Sequence, residues 1–570
     1  MERDPLKRLD EFRLTQASEL ENDLLDEFMT GQATRSDFLR HASVIGLSAT
    51  AIGAALGTAG YASPARAATR AVKAGGRLRL GVIPAPARPM EPHLFADHGT
   101  LATGSICGEY LTATNQDNTL SPSLALNWRP NKDGTQWAFN LRQGVKFQDG
   151  SPLTAADVIA TFNRNSDPAL GGSALSAFKG VLKAGNIKAA NGGKTVVFFL
   201  DAPTAAFPYL VSNTTYQALI QPSTYKIGEF AKGGTTTGGF RLMSYTPGVG
   251  AKLDRNPTWW GGKTPLDGVD LTYYSDAAAV TAALLGGQID MISQVSFADS
   301  RALFGNSNVQ IIAAKGTPHR EISMLVSTAA AVKPFKDRRV RQALALTLDR
   351  PAIIKQLFSG LAVPGNDGPF ASVYPSSDPT VPQRVQDLVQ AKKLLAQAGY
   401  AKGFSVTLTT EKYIEIPQLA QILAASAKKV GIDIKLNIIT SDAYYGGTYS
   451  GGATGRGTTP WLNTPLNITD YGHRAVPNVV ASSAFKTGGV WSSSNFASAA
   501  FDAAYDGYSA ALTLKQQRKY TGIAQRILLK ETPVIIPYFY NWTMAASKKV
   551  KGFQASAIGT MTGMSKTSLG

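Results

Sequence analysis

The chain has 570 residues, of which 44% are hydrophobic and 17% charged, a composition typical of globular proteins and long enough for more than one lobe. Its formal net charge is +17, but the basic residues are dispersed, which argues against a nucleic-acid partner and favours a small ligand. The single cysteine, Cys107, excludes an intrachain disulfide and is expected to be a small buried residue.

The first 67 residues predict an acidic helical extension followed by an export signal. The stretch "TRSDFLRHASVIGLSATAIGAALGTAGYASPARA" begins at Thr34 with basic residues, continues with a weakly apolar run over 44–61, and ends on Ala-Arg-Ala at 65–67. This order is typical of a cleaved signal, whereas a buried Ala-rich helix is the alternative. The run is too weakly apolar for a stable membrane helix. We therefore expect residues 1–67 to lie outside the fold and the mature periplasmic protein to begin near Ala68.

The same segment resembles a twin-arginine signal, in which a serine and two arginines precede a phenylalanine and a leucine. Ser36 stands where the second arginine belongs, so the general secretory route stays open. No cysteine follows the apolar run, so we expect no lipid anchor. The residues that match the pattern are Thr34, Arg35, Phe38, Leu39 and Arg40.

Beyond residue 67, alternating and helical patterns follow one another. "GRLRLGVI" (76–83), "KTVVFFL" (194–200) and "DGVDLTYYS" (267–275) predict strands, the last followed by a helix over 277–286. Helical spacing recurs over 337–358, 385–399 and 419–431, and the last of these leads into the strand "IDIKLNII". This alternation predicts an α/β lobe in the second half.

The stretch "QWAFNLRQGVKFQDGSPLTAADV" (136–158) has the charge and glycine content of a site but no nucleophile. Trp137, Phe139 and Leu141 alternate as a half-buried strand. Asp149 and Gly150 predict a turn, and Thr154 predicts a helix N-cap. We interpret this stretch as scaffold.

Catalytic and metal-binding motifs are missing from the sequence. There is no His-Glu-x-x-His and no Gly-x-Ser-x-Gly motif, and "GGKT" at 261–264 is interpreted as a turn. His93 and His98, with Glu91 and Asp97 nearby, fit no common ligand spacing. We expect no catalytic residues, no metal and no cofactor, although a hydrolase stays open.

Five segments in order resemble the family 5 extracellular solute-binding proteins, the dipeptide- and oligopeptide-binding components of ABC importers. They are "SPSLALNWRPNKDGTQWAFNLRQGVKFQDGSPLTAADVIATFNR" (121–164), "TTTGGFRLMSYTPGVGAKLDRNPTWWGG" (235–262), "ALLGGQIDMI" (283–292), "KPFKDRRVRQALALTLDRPAII" (333–354), and "AKKLLAQAGY" with "VGIDIKL" (391–436). One such segment alone would be weak, but their common order is a specific signal.

The resemblance implies an α/β fold of two lobes joined by a hinge, with an extra β-rich subdomain on the first lobe. We expect the first lobe at 68–108, 222–325 and 538–570, the extra subdomain at 109–221, and the second lobe at 326–537. The chain would cross between lobes near 324–327 and again near 536–540. A ligand would bind in the cleft when the hinge closes.

The resemblance also directs attention to residues 455–478, which we interpret as a loop, because peptide-binding members hold the ligand's ammonium with an aspartate that follows a tryptophan in the corresponding loop. Trp461 matches that tryptophan, and Asp470 is the single acid between Asp442 and Asp502. Asp470 is either a cation partner or a turn residue. Trp461, Tyr471 and His473 either stack on the ligand or serve packing.

For an anionic end of the ligand, two basic residues are candidates. Lys412 lies near the place where relatives carry an arginine, and Arg456 is in the same region as Asp470. The alternative for both is a solvated surface charge.

We therefore expect an exported, non-enzymatic, monomeric solute-binding protein that delivers a short peptide or peptide-like amino compound to an ABC permease and ATPase. The alternatives are a secreted hydrolase in a bilobal shell and a binding protein that serves a chemoreceptor.

Overall fold

The computed structural model describes residues 4–61, 74–86, 89–295, 300–328, 330–447 and 458–570. The helices in these ranges are α1 (Pro5–Thr15), α2 (Glu19–Met29), α3 (Arg35–Ile45), α4 (Ala49–Thr58), α5 (His98–Cys107), α6 (Ala155–Ser166), α7 (Leu175–Phe178), α8 (Phe207–Leu210), α9 (Ala277–Leu285), α10 (Lys333–Lys336), α11 (Arg338–Ala345), α12 (Arg350–Phe358), α13 (Leu388–Gln397), α14 (Ile416–Lys428), α15 (Ser441–Tyr445), α16 (Pro460–Asn463), α17 (Asn478–Val480), α18 (Ala499–Ala510) and α19 (Leu514–Glu531).

The strands in the same ranges are β1 (Arg77–Val82), β2 (Thr112–Thr114), β3 (Leu120–Pro122), β4 (Ala125–Pro130), β5 (Gln136–Leu141), β6 (Ile187–Ala190), β7 (Thr195–Phe199), β8 (Phe240–Thr246), β9 (Gly250–Arg255), β10 (Gly268–Tyr273), β11 (Met291–Ile292), β12 (Val309–Ala314), β13 (His319–Met324), β14 (Ala362–Pro364), β15 (Phe404–Glu411), β16 (Ile432–Ile439), β17 (Leu466–Tyr471), β18 (Val534–Ile535), β19 (Tyr538–Tyr540), β20 (Trp542–Ser547), β21 (Val550–Lys551) and β22 (Ser568–Leu569).

The first lobe is built on a mixed sheet with the strand order β12-β20-β11-β1-β10-β9-β8. The strand predicted at 76–83 is β1, which pairs in parallel with both β10 and β11. Its Leu78 and Leu80 are fully buried, as expected for a strand in the middle of a covered sheet. Cys107 is buried in the same core, as the sequence predicts.

The second lobe is built on a separate sheet with the order β14-β19-β13-β17-β15-β16, and β18 pairs with β13. The helical pattern at 337–358 divides into α11 and α12 because Asp349 caps a new helix that has Pro351 in its first turn. The parallel pair β15 and β16 is joined through α14, the α/β arrangement expected for this half.

The chain passes between the two sheets at places that differ from the predicted ones. β12 ends in the first sheet at Ala314, and β13 begins in the second at His319, so the first crossing is at 315–318. The second crossing is at Asn541, between β19 and β20. The expected boundaries put β13 and β19 in the first lobe. Their pairing with β17 and with β14 instead places both in the second.

The four-stranded sheet β4-β5-β7-β6 lies within the range expected for the extra subdomain. Trp137, Phe139 and Leu141 are buried on β5, as their alternation predicts. Thr154 and Asp157 form a capping box at the start of α6, and Asp157 also accepts a hydrogen bond from the Ser223 backbone N–H at 2.7 Å. The stretch 136–158 is therefore scaffold that ties the subdomain to the first lobe.

Residues 4–61 form four helices, α1–α4, with an apolar core of their own, in contrast to the expectation that this segment lies outside the fold. The apolar run 44–61 is divided because Gly46 (φ +80°) ends α3 and Ser48 caps α4. A side chain at Gly46 would meet the Trp128 carbonyl oxygen at 2.0 Å, so this turn is fitted against the subdomain. The predicted cleavage site at 65–67 lies outside the described residues.

No helix in the described part of the chain has the length and apolar character needed to cross a membrane.

One buried acid in the middle of β13 makes stability depend on pH. Glu321 is 1% exposed and accepts a hydrogen bond from the Ser323 hydroxyl at 2.8 Å. Burial raises the pKa of Glu321 from 4.5 to about 8. The folded protein therefore holds this proton at neutral pH, and the stabilisation that results is complete below 4.5 and is lost as the pH rises through about 8.

We therefore predict that Glu321→Gln removes a stability loss that the wild-type protein suffers between pH 5 and about 8, at about 1.4 kcal/mol for each pKa unit. Calorimetric melting at several pH values measures this effect. The exposed Glu229→Gln is the control and should keep the wild-type profile. A Glu321→Gln protein with the same pH profile as the wild type would contradict the prediction.

Candidate ligand-binding site

Arg320 is the centre of a charged cluster at one end of the second-lobe sheet. The antiparallel register of β13 and β17 sets Arg320 directly opposite Asp470. The Arg320 side chain is fully buried, and its guanidinium pairs with the Asp470 carboxylate and donates to the Tyr540 hydroxyl at 2.9 Å. The strand pairing therefore brings a cation and an anion together before any ligand arrives.

A second carboxylate completes the coordination of Arg320. Glu415 precedes α14 and is 3% exposed. Its carboxylate accepts from the Arg320 guanidinium at 3.1 Å and from the Tyr538 hydroxyl at 3.0 Å. Burial opposes the charge of Arg320, but Asp470 and Glu415 outweigh it and raise its pKa well above the ordinary value. The guanidinium is thus held by acids from two separate elements.

A third carboxylate, Glu411, lies at the end of β15 and is linked to Asp470 through a tyrosine. The Tyr445 hydroxyl donates to Glu411 at 2.8 Å and accepts from the Asp470 backbone N–H at 3.4 Å. The Ser441 hydroxyl donates to the other Glu411 oxygen at 2.6 Å. Burial, followed by the nearby Asp470 charge, raises the pKa of Glu411 to about 7. The cluster therefore gains a negative charge as the pH rises through neutrality.

Asp470 is the member of this cluster that reaches solvent. Its side chain is 31% exposed, whereas Arg320, Glu411 and Glu415 are buried. Burial raises the pKa of Asp470, and Arg320 opposes that rise. Three carboxylates around one internal arginine carry a surplus of negative charge that increases when Glu411 ionises, and Asp470 is the carboxylate of this group that is partly exposed.

The other residues predicted around Asp470 do not share its position. The region expected to be a loop contains β17, and Tyr471, the next residue on this strand, points to the opposite face from Asp470. Tyr471 is buried and stacks on His319 with ring centres 5.3 Å apart. Trp461 is buried against Tyr445, with ring centres 6.1 Å apart. Trp461 therefore packs against the ring of Tyr445, whose hydroxyl bonds Glu411.

His473 serves the junction between strands. It is 2% exposed, and its Nδ1 accepts from the Thr317 backbone N–H at 3.0 Å. Burial, followed by the charge of Arg474, lowers the pKa of His473 to about 3, so the ring is neutral at physiological pH. Since Thr317 belongs to the first crossing, His473 fixes that crossing to the end of β17.

Of the two predicted anion partners, Lys412 does not share the buried position of this cluster. Lys412 is exposed, with its backbone N–H donating to Ile439 at 2.7 Å, while its neighbour Glu411 is buried. Arg456 lies outside the described residues. Arg474 is a basic residue near the cluster that the sequence reasoning missed, and its guanidinium lies 5.9 Å from the Tyr216 ring of the subdomain and 6.0 Å from the Trp491 ring.

Sequence reasoning also missed Arg320, Glu411, Glu415 and the tyrosines. Two signals were present. Charged residues interrupt the strand "HREISM", where buried apolar residues are the norm, and "EKYIE" places Glu411, Tyr413 and Glu415 two residues apart. Buried charges need partners, so each pattern indicated a polar cluster, although neither identified the partner.

Two sheets on separate lobes, two chain crossings and a polar cluster beside those crossings define the class of two-lobed solute-binding proteins. Residues 119–473 match the family model described as "Bacterial extracellular solute-binding proteins, family 5 Middle". The chain belongs to this family. The resemblance of its five segments is thereby confirmed.

Individual proteins that are similar to this chain are consistent with this family. The glutathione-binding protein GsiB of Escherichia coli K12 is 28% identical over 362 residues, which cover 62% of this chain and 67% of that protein. DppA of Helicobacter pylori, in complex with the peptide STSA, has a TM-score of 0.72 at 24% identity and covers 87% of this chain and 98% of its own. AgaA of A. tumefaciens R10, in complex with agropinic acid, has a TM-score of 0.69 at 23% identity, covering 87% and 99%. The structural neighbours confirm the two-lobed α/β fold.

We predict that Arg320→Met destabilises the protein by about 3–5 kcal/mol, because it leaves the buried Glu415 without its cation. The matched control is Arg338→Met, which removes a 3.5 Å ion pair with Glu531 in which the two side chains are 51% and 30% exposed. That loss should cost only about 0–1 kcal/mol. Urea unfolding followed by circular dichroism compares the two, and equal losses would contradict the buried-cluster interpretation.

Proposed function

We propose that the protein is the non-enzymatic, periplasmic binding component of an ABC importer. In this proposal it captures a short peptide or peptide-like amino compound between its lobes and delivers it, as a monomer, to the permease and ATPase. Family membership supports the binding role. The carboxylate surplus behind the exposed Asp470 supports a ligand that carries an ammonium group.

The charge arrangement suits a small zwitterion. An ammonium beside Asp470 would reduce the negative charge of the three carboxylates, which Arg320 offsets only in part. Arg474, whose charge reaches Asp470, supplies a cation for a carboxylate on the same ligand. Relatives named for glutathione, or solved with the peptide STSA, bind compounds that fit this description. The remaining residues of the cleft would determine which of these compounds binds.

The hydrolase alternative has less support. Among the described residues, the histidines nearest the second-lobe cluster are His319 and His473, and burial is the main cause that lowers their pKa values to about 4 and about 3. A general base works best with a pKa near the operating pH, so neither imidazole suits that task. Glu411 has a pKa of about 7, but both of its oxygens accept hydrogen bonds from Tyr445 and Ser441. The chemoreceptor alternative shares the same ligand chemistry and differs in the partner, which genes for permeases and ATPases beside this one would distinguish.

We predict that Asp470→Asn weakens binding of a short peptide by roughly 2–4 kcal/mol, as expected when one side of a desolvated charge pair is removed. A panel of dipeptides and tripeptides, opines and polyamines, measured by calorimetry, first identifies a ligand. N-acetylation of that ligand should weaken binding to the wild type, and it should matter much less in the Asp470→Asn protein.

Circular dichroism checks that the Asp470→Asn protein is folded, since Asp470 also pairs with Arg320. Unchanged affinity in a folded variant would make Asp470 a structural residue and would contradict the ammonium proposal. Binding failure for every amine class, together with turnover in a hydrolase assay, would instead overturn the transport role.

Affinity for an ammonium ligand should also rise severalfold between pH 5.5 and 7.5. Glu411 has a pKa of about 7, so it loses its proton over this interval and adds a negative charge near Asp470. Glu411→Gln should remove the rise while leaving the pairing of Arg320 with Asp470 intact. Calorimetric titration at three pH values measures the trend, and a rise that persists in Glu411→Gln would assign it to another group.

A further inference from the structure

The N-terminal helix α3 occupies a groove between the extra subdomain and the second lobe. On the subdomain side, the Ser43 hydroxyl accepts from the Leu120 backbone N–H at 2.9 Å. The Val44 carbonyl accepts from the Trp128 indole N–H at 2.8 Å. These bonds fix the C-terminal half of α3 to β3 and β4.

The same helix is also bound to the second lobe. The buried His41 ring donates from Nε2 to the Leu512 carbonyl at 2.8 Å. Asp37 pairs with Arg518 at 2.7 Å, and Arg518 donates further to the Gln32 carbonyl at 3.0 Å. α3 and the turn before it therefore contact both sides of the groove.

The single side chain of Arg40 bonds both to the subdomain and to the second lobe. Its Nε donates to the Asp117 carbonyl in the subdomain at 2.7 Å, and its Nη1 donates to the Val373 carbonyl in the second lobe. Hydrogen bonds from a charged donor are among the stronger ones in proteins. One guanidinium thus links the subdomain and the second lobe, which are far apart in the chain.

Beneath α3 lies a cavity of about 40 Å³ whose walls come from both sides. The subdomain supplies Ala205, Ala206 and Tyr209, and the second lobe supplies Tyr374, Asn478 and Tyr508. This groove is largely apolar, and α3 covers it with Val44 and the ring of His41. Its occupant in the full chain is therefore the chain's own N-terminal segment.

We propose that α3, supported by the other N-terminal helices, is a strap that docks across the subdomain and the second lobe and holds the lobes at one angle until the N-terminal segment is removed. The lobes are otherwise connected by the two crossings and by direct contacts such as the bond from Ala205 to Ser509 at 3.1 Å. A rigid helix bound to both sides must detach from one of them before the hinge can open.

The strap makes ligand exchange depend on processing. While residues 1–67 are attached, the groove is filled and the cleft is restrained. Cleavage after Ala67 frees the strap, and the groove and hinge become mobile together. The docking is independent of the ligand class proposed above, whereas the release step rests on the predicted cleavage.

Hydrogen exchange of the full, uncleaved chain tests the docking. The α3 amides of the wild type should be protected, and the double variant Arg40→Ala, Arg518→Ala should exchange about tenfold faster or more. Arg13→Ala is the matched control, since Arg13 contacts Asn22 and Asp26 within the N-terminal helices. Unprotected α3 amides in the wild type, or protection unchanged in the double variant, would overturn the docking.

A distance measurement on the same proteins tests the restraint. Spin labels on Lys194→Cys in the subdomain and Lys392→Cys in the second lobe report the angle between the lobes, and the native Cys107 is 1% exposed. We expect one narrow distance distribution in the wild type and in Arg13→Ala, and a broader or longer one in the double variant. An unchanged distribution once α3 has been freed would overturn the proposal that it holds the lobes, whatever the ligand is.

Discussion

The second lobe is organised around a guanidinium that cannot reach water. A buried arginine is tolerated only where acids and hydrogen-bond acceptors surround it, so the position of Arg320 fixes the positions of Asp470 and Glu415. Those two acids lie on β17 and just before α14, and the tyrosines that complete the cluster come from β19. One charge thereby connects three strands and the start of a helix, and the proposed ligand site is the partly exposed edge of this cluster.

Much of the fold could be predicted from the sequence because it depends on local periodicity and on family segments that follow one another in a fixed order. Strand β1, the subdomain strand β5 and the helix cap at Thr154 follow directly from alternation and capping patterns. The lobe boundaries were less accurate. β13 precedes a predicted helix of the second lobe, and nothing local to it specifies whether its partner is β12 or β17. The sheet that a strand joins depends on pairing with residues distant in the chain. A short stretch of sequence therefore does not identify that sheet.

The site was predicted in part, for a similar reason. Asp470 was selected because acids are rare in its region, but its neighbours were left as either stacking or packing residues because that region was interpreted as a loop. Once 466–471 is a strand, Asp470 and Tyr471 must face opposite ways, and the partners of Asp470 come instead from residues 320, 411 and 415. The sequence shows that these three residues are charged although they lie within apolar patterns. It does not show that they come together in space around Asp470.

The N-terminal segment combines the sequence pattern predicted for an export signal with four packed helices. An export signal needs basic residues followed by a small-residue apolar run, and the same composition makes short amphipathic helices when Gly46 and Ser48 divide the run. The basic residue Arg40, which belongs to the signal pattern, is also the side chain that joins the subdomain to the second lobe. A segment with both properties stays on the body only as long as the bonds of α3 outweigh the entropy of releasing it. Its chain connection to the body makes redocking favourable, because the helix remains at a high effective concentration near its groove. In the proposed processing, cleavage removes that advantage without changing any contact of α3.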